Sequence, residues 1–121
     1  MKSYKNLEGW KKSMQLVKEV YLAVKKFPKE ELYGLTSQIK RAAVSVPSNI
    51  AEGVGRNYKK DTIQFFHISR GSLYELETLM NIAKMIEILS NEIFTRLSEQ
   101  NAECTRILNG LITYYENSNL K

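Results

Sequence analysis

Apolar side chains recur every three or four residues from Leu7 to Tyr115, and no stretch alternates apolar and polar residues between turn signals as a strand would. A period near 3.6 puts such residues on one face of a helix, so this chain can bury its apolar surface only by laying helices against one another. Leu7, Trp10, Met14, Val17, Tyr21 and Val24 make one stripe, and Leu16, Val20, Ala23 and Phe27 a second beside it. With Asn6 as N-cap and Pro28 as stop, the spacing predicts a first helix over 7–27, about 30 Å long at 1.5 Å per residue.

Residues 28–36, PKEELYGLT, read as a connection clamped by Leu32, Tyr33 and Leu35. Leu35, Ile39, Ala42, Ala43, Val46 and Ile50 then step by three or four, and the pattern crosses Pro47 without losing phase. A proline inside a helix withholds one N–H and presses on the carbonyl four residues earlier, here Ala43, so a kink is expected. The competing reading ends one helix at Val46 and starts another with Ser48 as N-cap. Gly53 and Gly55 are expected to end the second helix in left-handed conformations, and Asn57 or Asp61 to cap a third, Asp61 and Gln64 having capping-box spacing. Phe66, Leu73 and Met80 carry the third helix to about Ile88, with Gly71, Ser69 and Ser72 read as a place of close helix contact. Ser90 or Asn91 caps a fourth, whose seam is Leu97, Asn101, Cys104, Leu108, Leu111 and Tyr115.

Four long amphipathic helices with short connections fold most simply as an all-α, antiparallel up-down four-helix bundle, kinked at Pro47, in one domain over 1–121. Tyr21, Phe27, Phe65, Ile82 and Tyr114 lie beside the main seams, a width of apolar face that points to burial against other subunits. The single cysteine, Cys104, cannot form an internal bridge, and a composition 43% apolar and 26% charged is ordinary for a soluble chain. No signal-peptide core or bilayer-length apolar run is present, so a cytosolic location is expected.

The charge is unevenly placed. Residues 1–60 hold thirteen Lys and Arg against five Asp and Glu, a net of +8, and the remainder five against eight, a net of −3, giving the whole-chain +5. Lys11, Lys12, Lys18, Lys25 and Lys26 of the first helix, with Lys40, Arg41, Arg56, Lys59 and Lys60, are the candidate anion-binding residues. A solvated helix exterior is the plain alternative for the lysines, and pairing with acidic surface of a neighbour is a second.

Other chemistry finds little purchase. Gly53-Val54-Gly55-Arg56 lacks a third glycine and a Gly-Lys-Ser/Thr ending and follows a helix, so it is no nucleotide loop, although amides at the start of the third helix could hold an anion beside Arg56, Lys59 and Lys60. His67 has no second histidine for a metal and no nucleophile at a defined spacing, and reads as a packed or interface residue. Glu75 and Glu77 point to different sides of one helix, so paired-carboxylate catalysis is not supported. Cys104 reads as a small apolar residue of the seam. Arg41, Ser48, Asn49 and Glu52 fall on or near one side of the second helix, with Glu52 and Arg56 four apart. That cluster is either an internal network fixing the bend or a partner contact, and the network is the favoured reading.

Taken together, Leu7 with Trp10, Phe27-Pro28, Glu31, Tyr33-Gly34-Leu35, Gln38, Arg41-Ala42-Ala43, the run Ser45-Val46-Pro47-Ser48-Asn49-Ile50-Ala51-Glu52-Gly53, Gly55-Arg56, Gly71-Ser72 and Glu75-Leu76-Glu77 form a recognisable pattern over the first three helices. It resembles the four-helix bundle family of the bacterial 23S rRNA intervening-sequence protein, to which the accessory variability determinant of diversity-generating retroelements is related. His67, where the family more often has an aliphatic residue, and Ser69, where it often has alanine, depart from the pattern. The resemblance marks Pro47, Ser48, Asn49, Glu52 and Gly53 as a structural motif. It implies a homopentamer with no enzymatic activity, no cofactor and no metal. In the retroelement member it implies a basic ring that binds nucleic acid and engages a reverse transcriptase. Five copies of this chain would carry a formal +25, five times +5. The resulting expectation is a non-enzymatic accessory protein that binds RNA or DNA backbone through its basic surface, the alternative being a scaffold for acidic protein partners.

Overall fold

The computed structural model describes residues 3–121, and all four expected helices are there: α1 Glu8–Val24, α2 Leu35–Val54, α3 Lys59–Met85 and α4 Asn91–Glu116. Two short 3-10 turns, Tyr4–Asn6 and Lys29–Glu31, precede α1 and α2, and no strand occurs among the described residues. Each helix packs on its sequence neighbours and α4 closes back on α1, while the backbones of the diagonal pairs, α1 with α3 and α2 with α4, stay apart among the described residues. With connections this short, that is an antiparallel up-down four-helix bundle. Leu16, Val20, Ile39, Val46, Ile50, Phe66, Leu73, Leu76, Met80, Leu97 and Leu108 meet in its core, fully buried.

The broadest contact is between α2 and α3, and small and polar residues make it possible. α2 runs unbroken through Pro47, so the reading that splits the helix after Val46 is set aside. Three successive carbonyls beyond that of Ala43, which Pro47 cannot serve, each take a side-chain donor: Ser48 Oγ gives to Val44 O at 2.8 Å, Asn49 Nδ2 to Ser45 O at 2.8 Å and Ser69 Oγ to Val46 O at 2.9 Å. Ser72 Oγ adds a bond to Ser45 Oγ at 2.8 Å, and across the other seam Asn101 Nδ2 donates to Leu73 O at 3.1 Å.

Gly53 does not end α2 in a left-handed conformation, and neither does Gly55, which has φ −78°; no glycine among the described residues has positive φ. Gly53 is needed for proximity. A Cβ there would stand 3.0 Å from Phe65 Cβ and from Phe66 Cε1 and 3.1 Å from the Thr62 carbonyl, and Thr62 Oγ1 donates to Gly53 O at 2.8 Å. Gly71 is the reverse case: it is exposed, with nothing within 4 Å of an added Cβ, so the close contact expected there belongs to Ser69 and Ser72 alone.

Caps differ as well. Ser90 accepts from the Ile93 amide at 3.2 Å as expected. Asn6, however, lies in the first 3-10 turn, leaving α1 with Leu7 as an N-cap that offers no side-chain bond, and α3 starts after Tyr58 with neither Asn57 nor Asp61 capping it. α1 ends at Val24 and α3 at Met85, a few residues short of the expected 27 and 88. Phe27 folds into the core of its own chain, and Glu87, at φ 65°, turns the chain from α3 into α4.

Candidate nucleic-acid interface

Of the two α1 stripes, the one through Leu16, Val20, Ala23 and Phe27 is buried, and of the other only Val24 is. Gly9, Ser13, Leu16, Val20 and Ala23 face inward, while Met14 is 44% and Tyr21 39% exposed. Trp10, Met14 and Val17 line a shallow apolar groove with Val44 and Pro47 of α2, and Tyr21 lies outside it, against Lys40.

The α1 lysines divide by helix position. Lys11, Lys18 and Lys25 are seven apart, so they form one exposed line about 10 Å per step on the solvent side. None of the three makes an ion pair among the described residues, and the same is true of Lys26, Arg41 and Lys60. Lys12 faces α4 instead, where its Nζ meets Glu103 Oε1 at 3.2 Å. That pair meets part of the basic–acidic complementarity read from the two halves inside one chain, whereas Glu19 Oε1, 3.6 Å from Arg96, pairs the halves in the opposite sense.

Three other candidates are already engaged. Arg56 pairs with Glu52 at 2.8 Å, as the spacing predicts, and its guanidinium covers the half-buried Phe65 ring at 4.5 Å. Lys40 Nζ lies 5.0 Å from the centre of the Tyr21 ring. Lys59 Nζ donates to Ser118 O at 3.2 Å and the Lys59 amide to Lys121 O at 3.0 Å, while the Asp61 and Thr62 amides bond to Tyr58 O. The chain itself thus engages Lys59 and part of the start of α3.

The motif residues divide, Pro47 and Gly53 being buried and Ser48 and Glu52 exposed. Asn49 turns inward, bonding Ser45 O and Ser45 Oγ, whereas Ser48 bonds only within α2 and Glu52 only to Arg56. Arg41 stays outside this network. The network thus consists of Ser45, Asn49, Ser69 and Ser72, and the last two are serines whose donor role the α3 sequence does not signal.

His67, exposed on α3, holds Arg70 at 3.0 Å through Nδ1, and Arg70 reaches Asn109 Oδ1 at 2.8 Å. Burial pushes the Cys104 thiol up to about 11, Glu103 adding to the rise and Lys12 opposing it, so this is an inert seam residue. No group of three or more His, Cys, Asp or Glu gathers as a metal site among the described residues, and no helix there is long and apolar enough to cross a membrane.

Two features escape the sequence reading. The Leu32–Tyr33 clamp does not exist: Tyr33 is 94% exposed and Leu32 lies largely outside the core. Thr36, by contrast, is buried with no hydrogen-bond partner for its hydroxyl. Tyr33 sits on a turn with one lysine and two glutamates, where an aromatic has little apolar company; the orphan hydroxyl had no signal.

Comparison with known proteins agrees with this architecture. The family model described as 23S rRNA-intervening sequence protein matches residues 5–110. A crystal structure at 1.70 Å of a protein with unknown function from the S23 ribosomal protein family of Bacteroides thetaiotaomicron VPI-5482 superposes with a TM-score of 0.81 at 20% identity, covering 87% of this chain and 95% of that one. That likeness speaks for the fold. No curated protein matches the chain.

Proposed function

Since this chain belongs to the 23S rRNA-intervening sequence protein family, we propose that it works without catalysis of its own, as an oligomeric accessory protein that binds the backbone of RNA or DNA. The observation that carries the reading is the exposed line Lys11, Lys18 and Lys25, free of acidic partners among the described residues, in a chain whose acids are concentrated beyond residue 60. Lysines spaced along a helix exterior neutralise phosphates without reading bases, so recognition is by charge and shape. Lys26, Arg41 and Lys60 extend the surface, whereas Lys12, Arg56 and Lys59 contribute less because each already has a partner.

The homopentamer implied by the resemblance would repeat the line five times and multiply a weak footprint into an avid one. The apolar groove between α1 and α2 supports such assembly. The shared Ser45–Gly53 run supports the relationship to the retroelement accessory protein, and with it a reverse transcriptase as one nucleic-acid enzyme that this protein would serve. The same unpaired lysines favour the second reading, a scaffold that captures acidic protein partners. A gel shift with duplex and single-stranded probes at rising salt separates them: the first reading expects binding at low salt that collapses as salt rises, and retention of neither probe refutes it.

A further inference from the structure

We infer that the end of the bundle where α1 turns into α2 holds one unpaired nucleotide of a single strand, its phosphate among Lys25, Lys29 and Lys40 and its base against Tyr33. This deepens the nucleic-acid reading above and rests on it.

Two cavities meet here, one of about 210 Å³ on the α1 side and one of about 470 Å³ on the outer side of α2, sharing Leu32, Thr36 and Lys40. The larger is of small-ligand size. Lys25, Lys29, Lys40 and Arg41 line the pair and no carboxylate does. Glu31, on the same connection, has its Oε1 turned to the Leu35 amide at 3.4 Å.

The floor carries an unmet hydrogen bond. Thr78 and Thr105 return their hydroxyls to carbonyls four residues back, at 3.0 Å each, but Thr36 finds no such partner, and it is 5% exposed. A buried polar group left unpaired in a native fold calls for an explanation, and a ligand oxygen reaching it after a turn of the side chain about χ1 supplies one. Leu32, which lines both cavities, is half exposed.

The rim offers a stacking surface. Tyr33 stands almost wholly in solvent, next to the cations, and Tyr21 lies inside the larger cavity under Lys40. Aromatic rings beside cations are how single strands are held, because an unpaired base presents a face that a duplex hides. The occupant is therefore a nucleotide outside a duplex, and the lysine line of α1 leads up to it through Lys25.

The test is fluorescence anisotropy at fixed low salt, with a single-stranded oligonucleotide of about eight nucleotides and a duplex of the same sequence, on the full chain. Tyr33→Ala is expected to weaken single-strand binding about tenfold and leave duplex binding within about twofold. Thr36→Val should weaken the single strand several-fold in the same selective way, and Lys18→Gln should lower both probes alike. Circular dichroism confirms that each variant is folded. If Tyr33→Ala or Thr36→Val affects neither probe, or both probes equally, the site is overturned while the backbone-binding reading stands. If the unsubstituted protein binds neither probe at low salt, both fall together.

Discussion

The Ser69 hydroxyl donates to the carbonyl oxygen of Val46 at 2.9 Å, one residue before Pro47, and both groups are buried between α2 and α3. The carbonyl that Pro47 leaves without a helical donor is that of Ala43, and three residues further on a second helix adds a donor to α2. We propose that the bend expected at Pro47 is held by this bond together with those of Ser48 and Asn49. Replacing Ser69 with alanine should cost about 1–2 kcal/mol, read as a lower denaturation midpoint at unchanged slope. An unaltered midpoint would show that the bond contributes nothing net.

Two glycines should respond in opposite directions. Gly53→Ala forces a Cβ to 3.0 Å from Phe65 Cβ and to 3.1 Å from a main-chain oxygen, and backbone cannot give way cheaply, so a loss of about 1–3 kcal/mol is expected. Gly71→Ala meets nothing within 4 Å in an exposed helix interior and should gain about 1 kcal/mol. Thermal unfolding of the pair checks both signs at once.

Much of this fold was legible in the sequence because helical periodicity survives Pro47 and every connection is short. What was not legible depended on neighbours. Gly53 looks like a helix terminator until Phe65 and Phe66 are seen beside it, and Gly71 looks like a contact until its surroundings prove empty. On α1 the two apolar stripes are equally good by spacing, and only packing shows that Leu16 and Val20 form the core while Met14 and Tyr21 stay at the rim. For the candidate interface, sequence named the cations but not their engagements: Lys12 with Glu103 and Lys59 with Ser118 join residues 91 and 59 positions apart.

Alkaline pH should weaken the fold in a defined window. The Cys104 thiol is raised to about 11 in the folded chain against about 8.5 when unfolded, so the neutral thiol favours the folded state. Its contribution is complete below pH of about 8.5 and is lost as pH rises through about 11. Tyr115, also raised by burial and then by Tyr114, acts in the same sense. A denaturation series from neutral to alkaline pH should show Cys104→Ala losing stability less steeply than the parent chain; parallel curves would contradict the assignment.

Assembly through the α1–α2 groove makes a separate claim. Met14→Glu or Val44→Glu places a charge on a surface that is already exposed in one subunit, so the helices should form normally. Solution mass should nonetheless fall from that of a pentamer to that of a monomer, because the charge would be buried at the contact. A mass unchanged by either substitution would remove the groove from the interface.

Backbone binding through the α1 lysine line is tested most directly by the salt dependence of affinity for duplex DNA. Each phosphate contact contributes about −0.9 to the slope of log affinity against log salt, so substituting Lys11, Lys18 and Lys25 by glutamine should flatten the slope by about 2–3 per subunit. A slope that is the same in the parent and the triple variant, or affinity indifferent to salt in both, would contradict the account.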